Sequence, residues 1–427
     1  MIKHIHSLFI KHNKASTDTR NIIPNSIFFA LKGENFNANV FAEEALKKGA
    51  IYAIVDEKKY QTNKNIILVK DVLHTLQQLA SFHRKYLKLP VIALTGSNGK
   101  TTTKELINTV LSKKYNTVAT KGNLNNHIGV PLTLLSMTKE TEIGIVEMGA
   151  NHPKEIEFLC NIAKPDFGYI TNFGKAHLEG FGNLEGVIKA KTELYQYLKT
   201  NNKIVFVNAN DNTQIEKSIN MQLISFGTEK SKYPIKLLSA NPFVTMKFDN
   251  IIIESNMLGI YNYNNIAAAI AIGKHFNVNN NQIKQALEIY HPTNNRSQII
   301  NLEDKKIILD AYNANPSSMK SALENFIQLT DKNKIVILGD MFELGSYAEI
   351  EHQKITDLVN NNNLKHIYLL GENFLKTITN NKNITILKNY NSFKEHFDIV
   401  KFKNSTILIK ASRGMALERI VNLFKWF

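Results

Sequence analysis

A single cysteine, Cys160, stands in a chain of 427 residues. No internal disulfide can form, and there is no cysteine set for a structural zinc or an iron–sulfur cluster. Such usage fits a reduced, cytoplasmic protein. Proline and glycine are sparse, at 9 and 20 residues, which excludes collagen-like and low-complexity disordered chains. Long apolar runs are missing as well: no segment approaches the roughly 20 apolar residues that span a bilayer, so no stable membrane insertion is expected. Met1 to Ser16, MIKHIHSLFIKHNKAS, is basic, but its apolar run is only Leu8 to Ile10 and no small-residue cleavage site follows. It does not read as a signal peptide. Acid is the scarcer charge, 37 Asp and Glu against 52 Lys and Arg, for a net +15. An excess of this sign suits a polyanionic partner. The lysines, however, are scattered among asparagines and isoleucines, as in Asn201 to Lys203 and Asn360 to Lys365. That scatter fits background composition and phosphate-bearing substrates better than a nucleic-acid-binding face.

What is present is an ordinary folded balance, 43% apolar and 21% charged. At roughly 100 to 200 residues per domain, the length implies two to four domains. Short β-rich runs at Ser26 to Leu31, Ala50 to Val55 and Ile66 to Val69, with a helical segment Phe41 to Lys48, predict a small α/β unit over 1–88. A helical pattern from Val72 to Tyr86 ends at Leu89-Pro90. Apolar strands at Val91 to Leu94, Ile143 to Met148, Phe167 to Thr171 and Lys203 to Val207 then alternate with helical patterns over 89–295. A second alternation runs through Lys306 to Ala311, Lys334 to Leu338, His366 to Leu370 and Thr406 to Lys410 over 296–427. The fold class is α/β, with mostly parallel sheets covered on both faces.

The segment Val91 to Thr103, VIALTGSNGKTTT, is a buried strand, a glycine turn and a helix start. That is the context a phosphate cradle requires. Gly96 and Gly99 let the backbone aim successive N–H groups of Ser97, Asn98 and Thr102 at one anion, and the helix N-terminus adds its positive end. Lys100 offers a point charge for the β and γ phosphates, and the Thr101 hydroxyl suits magnesium. Leu94 stands where the eight-residue consensus has a further glycine, so the turn is a shortened variant. ATP is the implied cofactor of this central P-loop ATPase sheet.

T-G-S-N-G-K-T-T at Thr95 to Thr102, E-M-G-A-N at Glu147 to Asn151 and G-K-A-H-L-E-G-F at Gly174 to Phe181 resemble the Mur ligases, the ATP-dependent amide-forming enzymes of peptidoglycan assembly. Within that family, G-N-L-N-N-H-I-G-V-P at Gly122 to Pro131 and D-A-Y-N-A-N-P at Asp310 to Pro316 are similar to the member that adds D-alanyl-D-alanine. The likeness runs from D-T-R at Asp18 to Arg20 through G-D-M-F-E-L-G at Gly339 to Gly345 and S-R-G-M at Ser412 to Met415. The resemblance implies three domains: a UDP-sugar-binding unit, a central ATPase and a C-terminal Rossmann-like ligase domain. It implies phosphorylation of the carboxylate of a UDP-N-acetylmuramoyl tripeptide and attack of D-alanyl-D-alanine on the acyl phosphate, by a monomer.

The same likeness implies roles for residues. Lys100, His177, Lys191 and Arg296 would be catalytic. Thr101, Glu147, His177 and Lys191 would hold two Mg2+ ions, with Lys191 carbamylated so that an anionic oxygen group replaces a cation. Asn262, Asn265, Arg296 and Asp310 would contact ATP, and Tyr261 stands where the family commonly has histidine. Substrate contacts would come from Thr19, Arg20, Asn123, Asn125, Asn126, Asn313, Asn315, Ser412 and Arg413. Asn37, Ala38 and Asn39 replace the family's common Asp-Gly-His, and Ala411 stands where glycine is usual. A sister ligase acting on a muramoyl dipeptide or on folate would share the phosphate turn, Glu147, His177 and Lys191 but not D-A-Y-N-A-N-P. A nucleic-acid-stimulated P-loop NTPase has only the net charge in its favour.

Overall fold

The computed structural model describes residues 1–424. Among them, three larger sheets follow one another along the chain, beside a small hairpin of Lys32–Gly33 with Phe36–Asn37. The mixed α/β class and the predominance of parallel pairing match the sequence expectation. Most anticipated strands form with ends shifted by a residue or two, as in Ile27–Phe29, Tyr52–Val55 and Ile204–Asn208.

The first sheet pairs Ala15–Ser16, Ile27–Phe29, Tyr52–Val55 and Ile66–Leu68, all parallel. The central sheet runs Thr117–Ala119, Ile143–Glu147, Val91–Thr95, Phe167–Ile170, Ile204–Asn208 and Gln222–Gly227 in parallel. It then continues through Tyr233–Ser239 into the antiparallel strands Phe243–Phe248 and Ile251–Leu258. Val91–Thr95 and Ile143–Glu147 are buried at every position, as expected for parallel strands covered on both faces. These two strands and Phe167–Ile170 are neighbours, so the loops leaving their carboxyl ends converge at one edge, where parallel α/β sheets hold ligands.

The third sheet orders Gln298–Leu302, Lys305–Asp310, Ser405–Lys410, Lys334–Gly339, His366–Leu370 and Ile384–Leu387, with only the first strand antiparallel. Its carboxyl-end loops meet the phosphate turn. Asn315 caps the helix Pro316–Gln328 by accepting from the Ser318 amide, and its Nδ2 donates to Asn98 Oδ1 at 2.7 Å. Lys175 N donates to Ser317 Oγ at 2.8 Å, and Lys175 Nζ pairs with Glu351 at 2.7 Å.

The helix Val72–Leu87 starts on Asp71, whose side chain accepts from the His74 amide, and stops at Lys88 in the left-handed region. Leu76, Leu79 and Ala80 enter the same apolar core as Leu134, Met137 and Leu159 of the central unit. Arg84 reaches Asp166 at 2.6 Å and the Ala163 carbonyl at 3.2 Å. The helix is thus riveted to the central unit although it follows the first sheet in the chain.

Beneath it, His6 Nε2 and His83 Nδ1 lie 3.0 Å apart, and His83 Nε2 reaches the Met137 carbonyl at 2.9 Å. Both rings are buried against Phe9, Phe82 and Tyr86. Burial, then the neighbouring His83, lowers His6 to about 4, and burial also lowers His83. Because the folded values lie below the unfolded value of 6.5, the stability gained from neutral rings is complete above pH 6.5 and falls away as pH drops toward 4. The thermal midpoint is therefore expected to be lower at pH 5 than at pH 7. The gap should narrow in His6→Asn, which stays neutral across this range; an equal gap in both proteins would refute the assignment.

Candidate active site

The turn between Val91–Thr95 and the helix Lys100–Leu111 is held by side chains from the next loop. Asn172 Oδ1 accepts from the Asn98 amide at 3.1 Å, Asn172 Nδ2 and Thr171 Oγ1 donate to the Asn98 carbonyl, and Ser97 Oγ donates to the Gly174 carbonyl at 2.8 Å. Gly96 has φ +144°, and a Cβ there would sit 1.9 Å from Thr171 Oγ1. Gly99, at φ +76°, precedes the helix, and its Cβ would fall 2.7 Å from Asn265 Oδ1. The turn is thus a fixed cradle at a helix N-terminus, built so that backbone N–H groups can face an anion.

The cradle opens into a cavity of about 830 Å³. Its walls include Ser97, Asn98, Gly99, Lys100, Thr101 and Thr102 from the turn, Asn123, Asn125 and Asn126 from the following loop, Glu147 from a strand end and His177 from just before the short helix Leu178–Phe181. Asn262 and Asn265 come from the helix Tyr261–His275, and Arg296, Asp310, Asn313, Asn315 and Arg413 from the C-terminal unit. Most residues singled out in the sequence therefore surround one space, although more than 300 positions separate some of them.

Charge is concentrated there. The Glu147 carboxylate, 1% exposed, accepts from Thr101 Oγ1 at 2.9 Å and from Asn125 Nδ2 at 2.8 Å, and lies 3.8 Å from Lys104 Nζ. Lys100 Nζ donates to the Gly96 carbonyl at 2.8 Å. Burial lowers the pKa of Lys100 and of Lys104; Glu147 pulls both back up, and the Arg296 charge pushes both down. The Arg296 charge thus acts on both lysines beside the buried Glu147, with Glu105 adding a second negative charge near Lys104, and a polyphosphate would bring further negative charge to this group. The Arg296 guanidinium lies 3.5 Å over the Tyr312 ring, and its buried Nε has no protein partner. Asp310 accepts from the Ser297 amide at 3.1 Å and pairs with Lys410 at 2.5 Å.

Several sequence candidates have other engagements. Asn262 Nδ2 donates to the Leu258 carbonyl, and Asn265 bridges Asn262 and Thr103 beneath Gly99, so both amides support the cradle floor. Asn126 accepts from the Ile128 and Gly129 amides at the start of the helix Gly129–Leu135. His177, in the left-handed region, pairs through Nδ1 with Glu343 of the C-terminal unit. That contact lowers the Glu343 pKa, with the His177 hydrogen bond as its largest cause.

Gly96 and Lys191 lie behind the cavity wall. Lys191 is 1% exposed; its Nζ donates to the Ala150 carbonyl at 3.2 Å and sits 5.1 Å over the Phe181 ring. Burial first, and then the charge of Lys100, hold its pKa well below the ordinary lysine range. Ser412 is also off the cavity: it donates to the Ala314 carbonyl and accepts from the Phe342 amide. Thr19 and Arg20 are remote from it, in a short 3-10 turn where Arg20 forks onto Asp18 at 2.7 Å. Asn39, fully buried, exchanges bonds with Asp56, so this part of the motif departure is filled by an internal network.

Lys104, Tyr312, Lys410 and Glu343 were not singled out in the sequence. Lys104 had a signal, since it follows Lys100 by one helical turn and so shares its face. Tyr312 and Glu343 lie inside quoted motifs, and Lys410 ends a predicted strand, but no spacing rule marked any of them. Glu343 becomes relevant only when the C-terminal unit packs on the His177 loop. Among the described residues no three His, Cys, Asp or Glu side chains converge as a metal-holding group, and the Thr101–Glu147 pair supplies oxygen ligands of the type magnesium takes.

Gly96→Ala should weaken binding of a non-hydrolysable ATP analogue by roughly tenfold or more, because its methyl group collides with Thr171 and its φ is strained for an L-residue. Calorimetry on folded mutant protein checks this, and unchanged affinity would remove the turn from the nucleotide site.

Comparisons with known proteins agree with this layout. Residues 94–273 match the Mur ligase middle domain, and residues 295–416 match the Mur ligase, glutamate ligase domain. The chain is 35% identical to the UDP-N-acetylmuramoyl-tripeptide–D-alanyl-D-alanine ligase of Bacillus subtilis, over 95% of this chain and 92% of that protein. Among solved structures it is similar to MurF from Acinetobacter baumannii, with a TM-score of 0.84 and 30% identity over 96% of this chain and 93% of that one. It is also similar to the MurF ligase from Thermotoga maritima in complex with ADP, with a TM-score of 0.83 and 26% identity over 96% and 97% of the two chains. By these matches along nearly its whole length, the chain belongs to the Mur ligase family.

Proposed function

We propose that the protein is an ATP-dependent amide ligase that joins D-alanyl-D-alanine to a UDP-N-acetylmuramoyl tripeptide in peptidoglycan precursor synthesis. The observation that carries this function is one cavity that combines a phosphate cradle, an arginine whose charge acts on two lysines beside a buried carboxylate, and a roof from a second α/β unit. Similarity to D-alanyl-D-alanine ligases extends along nearly the whole chain. A nucleic-acid-driven NTPase has no comparable support, and a folate ligase would not share the likeness around Asp310 to Pro316.

A carboxylate and ATP are both anions, so their encounter needs fixed positive charge. Lys100 and Arg296 neutralise the γ-phosphoryl group as a tripeptide carboxylate oxygen attacks its phosphorus and ADP departs. The amine of D-alanyl-D-alanine then attacks the acyl carbon, phosphate leaves, and the nitrogen gives up a proton as the amide forms. Asp310 and the amides near Gly99 hold the nucleotide. Asn313, Asn315 and Arg413 line the side from which the dipeptide arrives, and Arg413 suits its carboxylate. Asn123 and Asn125 face the acyl substrate, while Thr19 and Arg20 belong to the UDP end. Packing of the C-terminal unit over the cradle excludes water from the acyl phosphate.

Magnesium supplies further charge neutralisation when bound. Thr101 and Glu147 provide the oxygens for an ion shared with the ATP phosphates. His177 and a carbamylated Lys191 would serve a second ion. In support of the carbamate, burial lowers the Lys191 pKa and so favours the neutral amine, the form that is nucleophilic toward carbon dioxide.

With ATP, magnesium and the two substrates, mass spectrometry should find the pentapeptide product, and Lys100→Ala should lower its rate on the order of 10² to 10³. Phosphate release with folate and glutamate instead would overturn the assignment. For Lys191, ¹³C-bicarbonate labelling should give a carbamate resonance in the wild type that is missing in Lys191→Ala, and acetate should partly restore that mutant's ligation. A fully active, unsupplemented Lys191→Ala would exclude the carbamate.

A further inference from the structure

Arg296 is carried by a backbone segment of unusual geometry. Asn294, Asn295 and Ser297 adopt φ of +60°, +58° and +49°. Asparagine tolerates this region, but serine gains little from it, so Ser297 must be held there by its surroundings. Two groups hold it. Its amide donates to Asp310 Oδ1 at 3.1 Å, and Asp310 is anchored in turn by Lys410. Its hydroxyl pairs with Tyr261 OH at 2.9 Å. Tyr261 opens the helix Tyr261–His275 of the central unit, whereas Asp310 ends a strand of the C-terminal sheet. Ser297, 7% exposed, is therefore clamped from both units. Immediately before it, Arg296 extends over Tyr312 with a buried, unpartnered Nε, and its charge is felt by Lys100 and Lys104.

Burial, followed by the charge of Asp310, raises the pKa of the Tyr261 phenol, so its hydroxyl keeps a proton to share with Ser297. The position matters because the phenol reaches across to the segment bearing Arg296.

We propose that Tyr261 is a positioning residue for the ligation reaction: its hydroxyl locks Ser297 in the left-handed conformation and thereby aims Arg296 at the phosphate cradle. Tyr261 and Ser297 both line the cavity, and Tyr261 acts on the reaction through Arg296. The proposal rests on the ligase function above for its kinetic arm only.

The tests are Tyr261→Phe, which removes one oxygen and keeps the ring, and Ser297→Ala, which removes the facing hydroxyl. Each should lower kcat for phosphate release by about tenfold with the KM for ATP within roughly twofold, the signature of an interaction used in the transition state. The double mutant should be no slower than either single, and in an Arg296→Ala background Tyr261→Phe should cost nothing more. A substrate-free arm separates failure of the clamp from failure of the ligase assignment. Exchange of the Ser297 amide should be roughly two- to tenfold faster in Tyr261→Phe, the size expected for one lost hydrogen bond. If the wild type ligates nothing, the ligase assignment fails while the exchange rate still decides the clamp. Unchanged exchange, unchanged kcat in an active enzyme, or an equal loss in the Arg296→Ala background would overturn the proposal.

Discussion

Everything at the centre of this molecule depends on holding an excess of positive charge in one confined space. Arg296 acts on both Lys100 and Lys104 beside the buried carboxylate of Glu147. Burying cations without equal counter-charge is unfavourable, and the lowered lysine pKa values express that cost. The arrangement is tolerable only if the rest of the fold imposes it, and it becomes productive when a polyphosphate supplies the missing negative charge. The fully buried strands Val91–Thr95 and Ile143–Glu147 provide the rigidity, since their carboxyl ends cannot move without disrupting a close-packed sheet.

Two levels of support surround that centre. Nearest the phosphate turn, small polar side chains fix the backbone: Asn172, Thr171 and Ser97 above, Asn265 and Thr103 below. The asparagine-rich composition is put to use here, because an amide can donate and accept at once and so tie two backbone segments together. Farther out, the C-terminal unit is joined to the central one through Asn315 with Asn98, Lys175 with Ser317 and Glu351, and His177 with Glu343. These ties are short and polar. They stand beside apolar packing, since Ala314, Met319, Met341 and Leu344 of the C-terminal unit belong to the same buried cluster as Leu178 and Phe181 of the central one.

Lysine serves three purposes in this fold, and only the environment separates them. Exposed lysines such as Lys154 pair with neighbouring carboxylates and carry solubility. Lys100 and Lys104 lend charge to a cavity. Lys191, with a carbonyl and an aromatic face as its companions, has nothing to stabilise an ammonium ion fully and is pushed toward the neutral amine. The formal net charge of +15 counts all three groups alike and so separates none of them.

The alternation of apolar runs and helical patterns was enough to place most strands of the three sheets within a residue or two, because parallel strands buried on both faces must be continuously apolar. The phosphate turn was legible for a related reason: Gly96 and Gly99 are required by φ values that side-chain-bearing residues avoid, and the lysine and threonine follow at fixed offsets. The antiparallel extension Tyr233–Ser239, Phe243–Phe248 and Ile251–Leu258 was not specified, since mixed burial along its strands leaves a weaker pattern. Nor could spacing alone tell which asparagines face the cavity and which, like Asn126, cap a helix, because both uses draw on the same amide chemistry. Lys410, Tyr312 and Glu343 entered the picture only through tertiary packing. Local sequence sets backbone periodicity and the conformations a residue can adopt, whereas the field at a charged group is a sum over neighbours brought close from hundreds of residues away. The sequence therefore determined the three-sheet order and the cradle, and the tertiary structure alone decided which side chains share its charge.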